Sequence, residues 1–188
     1  MLLTVVRHGE TVENKNHIIQ GQSPGTLTAK GINQAKKLGR DLMKDQFDIV
    51  YCSDLKRCVD TAEEIMSYHL NIPIIYTSKI REINLPGCEG KPWNTEKWDQ
   101  PNDRLNRRVV EGESFADMWI RIESFANEIL IKHQDQKVLV VTHGGPVRGF
   151  ITISRDAPPE QTIDPNYSIE NCGVWRWEIS NPLSLPDL

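Results

Sequence analysis

Four short apolar runs punctuate the chain: LLTVV at 2–6, DIVYC at 48–52, PIIYT at 73–77 and KVLVVT at 137–142. Between consecutive runs, apolar residues recur at helical spacing. Strand-length runs alternating with helical periods restrict the chain to a layered α/β fold and exclude an all-helical one. The first, third and fourth runs are rich in Val, Ile or Leu without clean alternation, as in strands buried on both faces of a parallel sheet. A fifth segment, VWRWEIS at 174–180, does alternate and is expected at an edge, antiparallel to its neighbour. A first helix is expected from Thr28, a plausible N-cap, to about Gln46, with Ile32, Ala35, Leu38, Leu42 and Met43 on one face. A second is expected from Ser53, with Leu55, Cys58, Ala62, Ile65 and Met66. A third follows the capping-box-like Ser114-Phe115-Ala116-Asp117, and a short fourth follows Gly144-Gly145-Pro146. Stretches 12–27, 84–113 and 154–172 concentrate proline, asparagine, glycine and charge, and read as surface loops around a pocket.

The 188 residues suit one domain, 1–188, with 84–113 inserted over the pocket. The formal charge of −4 and the lack of a basic run argue against nucleic acid or an anionic membrane as partner. The apolar run before Arg7 is too short for a signal peptide or a membrane span. Cys52, Cys58, Cys88 and Cys172 form no CxxC pair, and read as reduced, mostly buried thiols of a cytoplasmic protein.

The position of the polar residues is more informative. Strand 2–6 runs into Arg7-His8-Gly9-Glu10-Thr11, and strand 48–52 into Ser53 and then Arg57. Strand 73–77 is followed by Arg81-Glu82, and strand 137–142 by His143-Gly144-Gly145. Ligands of parallel α/β sheets bind at the carboxyl ends of strands, so four distant segments can converge on one site. The residue types suit phosphoryl transfer, which needs a nucleophile, positive charge around the phosphate oxygens and a proton for the leaving group. Either histidine can attack if its ring is neutral and its other nitrogen is held by an acceptor. Arg7 and Arg57 offer forked, permanently charged donors, and the helix starting near Ser53 offers N–H groups and a positive dipole end. Glu82 can protonate a departing alkoxide. No metal or other cofactor is required. Neither HExxH nor a Cys/His cluster is present, nor GxxxxGK[ST], nor a cysteine followed six positions later by arginine.

Arg7-His8-Gly9-Glu10-Thr11 resembles the RHGE[TS] signature of the histidine phosphatase, or phosphoglycerate-mutase-like, superfamily. Ser53-Asp54-Leu55-Lys56-Arg57 with Thr61-Ala62-Glu63, Arg81-Glu82-Ile83 and Thr142-His143-Gly144-Gly145 follow in the family's order, so the resemblance runs from Leu3 to about Trp177. It implies a three-layer sandwich, a central mostly parallel sheet flanked by helices. It also implies His8 as the nucleophile that becomes phosphohistidine, Glu82 as proton donor, and Arg7, Arg57 and His143 as a phosphate clamp. Asn14, Gln20 and Gly21 fall where the family places further contacts to the transferred group, and Gly144 where a backbone N–H meets a phosphate oxygen. Two segments depart from the family pattern: Gln22 to Thr28, where only Leu27 and Thr28 survive, and Gly87-Cys88-Glu89-Gly90.

The expected activity is hydrolysis of a small phosphorylated metabolite. Trp93, Trp98, Arg104, Arg107 and Arg108 are candidates to contact its leaving group. Phosphoglycerate mutases generally carry a longer insert between acid and second histidine than the 61 positions separating Glu82 from His143 here, which favours hydrolysis. A non-catalytic phosphate-binding module on the same fold is the other alternative, and the presence of His8, Arg57, Glu82 and His143 argues against it.

Overall fold

A computed structural model describes residues 1–95 and 104–179. Its framework is a five-stranded sheet of β1 (Leu2–Arg7), β2 (Ile49–Ser53), β3 (Ile74–Thr77), β4 (Lys137–Thr142) and β5 (Val174–Glu178), in the order β3-β2-β4-β1-β5. All pairings are parallel except that of β5, which runs antiparallel to β1 at the edge, with Leu3 opposite Trp177 and Val5 opposite Trp175. The alternation of VWRWE therefore marks an edge strand, as its pattern indicates.

The period-2 geometry of the strands divides the core in two. Leu3, Val5, Val138 and Val140 point to one face, where α4 (Phe115–Lys132) and α5 (Gly144–Ser154) cover them with Met118, Ile122, Phe125, Ile129, Val147 and Phe150. Val6, Val50, Cys52, Leu139 and Val141 point to the other, under α2 (Ala29–Asp41) and α3 (Lys56–Met66), which contribute Leu38, Cys58, Ala62 and Ile65. Helices on both faces of a mostly parallel sheet make the expected three layers. No helix among the described residues is long and apolar enough to cross a membrane.

Several expectations require correction. PIIYT does not form a strand buried on both faces: β3 is an edge strand, and Ile75 and Tyr76 are 42% and 48% exposed. The fully enclosed partner is β2, whose Val50 to Ser53 are all buried. Position in the sheet, rather than apolar content, sets the burial. The first helix stops at Asp41 rather than near Gln46, because the chain turns through Leu42–Asp45 to carry Phe47 into the core. The second begins at Lys56, not Ser53, since Ser53 is still paired with Thr77 in the sheet. The third does begin with a reciprocal Ser114–Asp117 capping box. A one-turn helix α1 (Val12–Lys15) and 3-10 turns at Ser78–Ile80, Pro159–Ile163 and Pro165–Tyr167 lie in or beside stretches read as loop.

The chain leaves β1 and β2 toward one face of the sheet and β4 toward the other. At such a switch point the connections diverge, and a crevice opens beyond the carboxyl ends of the strands.

Candidate active site

Arg7, His8, Arg57, Glu82 and Gly144 all line one cleft of about 350 Å³ in that crevice, together with Asn14, Gln20 and Gly21. The segments that follow four strand ends therefore meet at one cleft, while His143 is not among the residues that line it.

His8 follows β1 directly, and its main chain is fixed from several sides. Its N–H donates to the Thr142 carbonyl of β4 at 2.9 Å, and its carbonyl accepts from the Asn171 side-chain amide at 3.0 Å. The ring Nδ1 lies 2.8 Å from the Gly9 carbonyl. A carbonyl only accepts, so Nδ1 carries the proton and Nε2 is left with its lone pair for the cleft. Burial is the main influence lowering the pKa of His8 well below its ordinary 6.5, and the charges of Arg57 and Arg7 add to it. A neutral, oriented imidazole results.

His143 is fully buried and stands edge-on to His8, with ring centroids 5.4 Å apart. It is not among the cleft-lining residues; it sits behind them, with Nε2 2.7 Å from Ser53 Oγ and the Cys58 sulfur 3.4 Å away. Burial first, then Arg57 and His8, push its pKa well below the ordinary value too.

The two arginines are held by backbone carbonyls. Arg57, only 1% exposed, donates through Nη2 to Gly21 at 2.9 Å and through Nη1 to Ser23 at 2.5 Å, so it ties the 21–24 segment to α3. Arg7 Nη1 donates to the Ile169 carbonyl at 2.8 Å. In both residues Nε is buried without a partner. A desolvated, half-satisfied guanidinium is costly in isolation and well suited to receiving an anion's oxygens. The expected contribution of the α3 N-terminus is reduced, because the Arg57 N–H is already taken by the Pro24 carbonyl at 3.3 Å.

Glu82 enters from the segment after β3. Arg121 of α4 grips that segment by donating to the Lys79 and Arg81 carbonyls, and the Thr142 hydroxyl donates to Ile80. The Glu82 carboxylate accepts from the Gly145 N–H at the start of α5 at 3.1 Å and from the Ile83 N–H at 2.9 Å. A Cβ at 145 would run into Glu82 Oε1 and the Met118 sulfur, so a larger residue there would have to displace the Glu82 carboxylate. Neighbouring Arg81 does not join the cleft; it forks onto Asp54, with both contacts at 2.6 Å.

Asn14 belongs to the capping box of α1. Its Oδ1 accepts from the Thr11 N–H at 3.3 Å and from Asn171 at 3.1 Å, which leaves its amide N–H groups for the cleft. Gln20 Oε1 is buried without a partner. The divergent Gly87-Cys88-Glu89-Gly90 segment also has a structural role here, since Glu89 accepts from the Gln22 N–H at 2.6 Å and braces the mouth of the cleft.

Of the leaving-group candidates, Trp93 and Arg104 line the cleft. Arg107 does not, and Arg108 is engaged by Asp117 in a forked ion pair. Trp98 lies outside the described residues. Arg148, Ser168 and Phe115 line the cleft without having been singled out from the sequence. For Arg148 a signal existed: it is four residues beyond Gly144 and three beyond Gly145, the spacing of one helix face. Among the described residues no group of three His, Cys, Asp or Glu side chains is placed to hold a metal ion.

The chain is similar to known proteins over most of its length. The model of the histidine phosphatase superfamily (branch 1) matches residues 3–182. Phosphoserine phosphatase 1 of Hydrogenobacter thermophilus is 34% identical over 79% of this chain and 73% of that protein. The probable phosphoglycerate mutase GpmB of Escherichia coli is 33% identical over 96% of this chain and 86% of its own length. Among solved structures, Bacillus stearothermophilus YhfR superposes with a TM-score of 0.85 at 29% identity, covering 96% of this chain and 92% of that one. With an Arg-His-Gly loop, a buried Arg57, a partly buried Arg7 and a glutamate gathered at one cleft, and with a family match across nearly its whole length, this chain belongs to the histidine phosphatase superfamily.

Proposed function

We propose that the chain, acting as one domain, hydrolyses small phosphomonoesters through a phosphohistidine at His8. The observation that carries this reading is the state of His8. Its ring is desolvated and neutral, its proton is committed to the Gly9 carbonyl, and it shares the cleft wall with Arg7, Arg57 and Glu82. In the first step Nε2 attacks phosphorus, the bond to the leaving oxygen breaks, and Glu82 supplies that oxygen with a proton. In the second, water attacks the phosphohistidine while the Glu82 carboxylate takes its proton, releasing inorganic phosphate and restoring His8. Arg7 and Arg57, with the amide of Asn14, Gln20, Gly21 and the Gly144 N–H, receive the phosphoryl oxygens. His143 stands edge-on behind His8 and completes the clamp in this reading.

His8→Ala is expected to abolish turnover of p-nitrophenyl phosphate and of a panel of phosphorylated metabolites, with EDTA leaving the wild-type rate intact. Acid-labile radiolabel from a phosphorylated substrate should appear on His8 after quenching within one turnover. Turnover that survives His8→Ala, or label on another residue, would refute the proposal. The similarity to GpmB favours a mutase as the second reading; interconversion of 2- and 3-phosphoglycerate faster than phosphate release would select it.

A further inference from the structure

The proton on His8 Nδ1 is held by an uncharged acceptor, the Gly9 carbonyl, at 2.8 Å. When Nε2 bonds to phosphorus the ring gains positive charge, and Nδ1–H becomes a stronger donor. The hydrogen bond to Gly9 therefore strengthens during the step, so the quality of that acceptor bears on the rate. A peptide carbonyl becomes a better acceptor when the N–H of the same amide is itself donated. That N–H belongs to Glu10, and it donates to Gln34 Oε1 at 2.9 Å. Gln34 lies in the second turn of α2, partly buried, and does not line the cleft that contains His8. Its path to the reacting ring runs through the Gly9–Glu10 amide.

Anchoring of the loop does not account for this side chain. The Gly9 N–H donates to Thr61 Oγ1 at 3.0 Å, and the buried Thr61 hydroxyl donates in turn to the Arg57 carbonyl at 2.6 Å. On the other side, the Glu10 carbonyl accepts from the Thr28 N–H, and the Glu10 carboxylate is held by Thr28 and Lys30. The amide between Gly9 and Glu10 is thus pinned at both ends without Gln34.

We infer that Gln34 is a positioning residue for the reaction: by accepting the Glu10 N–H it polarises the Gly9 carbonyl, which steadies the His8 Nδ1 proton and promotes attack by Nε2. The inference rests on the reading of His8 as nucleophile and adds to it a residue that never meets the substrate. The competing explanation is that Gln34 only braces the loop.

The two half-reactions separate these explanations. A polarised carbonyl stabilises the charged phosphohistidine ring, so it favours formation of the intermediate and makes the ring a poorer leaving group in its hydrolysis. A brace serves both steps alike. With p-nitrophenyl phosphate, the first-turnover release of nitrophenolate measures formation, and loss of radiolabel from trapped phosphoenzyme measures hydrolysis. Gln34→Met should slow formation by about 2–5-fold without slowing hydrolysis, the size expected for weakening a charge-assisted bond through its neighbour. Gln34→Glu, which keeps an oxygen acceptor, should restore formation. In histidine-labelled protein, the His8 Nδ1 proton resonance should move upfield in Gln34→Met and return in Gln34→Glu. Equal slowing of both steps, no change in either, an unmoved resonance, or a Gln34→Glu variant no better than Gln34→Met would overturn the inference. Failure of the phosphatase reading is distinct from these, because the wild type would then carry no label on His8.

Discussion

The chemistry of the cleft depends on a few side chains whose freedom has been removed by main-chain groups. Glu82 shows this most clearly. Its two oxygens are held by the N–H groups of Gly145 and Ile83, and the segment bearing it is gripped by Arg121. As the proton donor proposed above, such an anchored acid would contribute to rate only as far as the leaving group needs a proton. Glu82→Gln should therefore lower kcat far more for an alkyl phosphate than for p-nitrophenyl phosphate, whose phenolate leaves readily without one. Steady-state rates on the two substrates check this, and equal losses would remove Glu82 from the role of acid. His8 and His143 are a second instance. Both rings are held neutral because water has been excluded and guanidinium charge is close, and the same burial makes them costly to protonate in the folded chain.

At the level of elements, the loop after β1 is shaped by the start of α2. Thr28, the N-cap of α2, donates to the Glu10 carboxylate at 2.9 Å, and Lys30 pairs with the same group at 2.7 Å. The Glu10 N–H donates to Gln34, and the Thr28 N–H to the Glu10 carbonyl, both at 2.9 Å. Glu10 in the Arg7–Thr11 motif is thus a staple between loop and helix. Contact is close enough that a Cβ on Gly31 would collide with the Glu10 backbone. Gly31→Ala, although favourable for helix propensity, is expected to destabilise the fold by about 1–3 kcal/mol through overpacking. It should also lower turnover by displacing the loop that carries His8. Thermal unfolding with parallel kinetics tests this, and a raised Tm would show that the loop yields without cost.

For the whole molecule, the neutral buried histidines make stability depend on pH. Below their ordinary pKa of 6.5 the unfolded chain binds protons at both rings, while the folded chain, with both values pushed well down, does not. The unfolded state then holds more protons, so stability falls as pH drops from 6.5 toward the folded-state values. The two rings together can contribute up to about 2.7 kcal/mol per pH unit in that window. Denaturant unfolding from pH 7 to about pH 5 should show a shallower dependence for His143→Asn than for the wild type. Identical slopes would mean that His143 titrates normally in the folded protein.

Sequence alone determined the layered α/β class, the antiparallel edge at Val174–Glu178, the capped start of α4, and the residues Arg7, His8, Arg57 and Glu82 as one constellation. Each follows from a local rule: the period of apolar residues, capping chemistry, or the tendency of strand carboxyl ends to carry ligands. Where a side chain's fate depends on what packs beside it, those rules were insufficient. PIIYT has the composition of a buried strand but lies at an edge, because strand order is a property of the assembled sheet. His143 stands behind His8 rather than in the cleft wall, and Arg148 enters that wall without a partner. Burial and charge compensation are set by residues distant in the chain, and only the folded molecule brings them together.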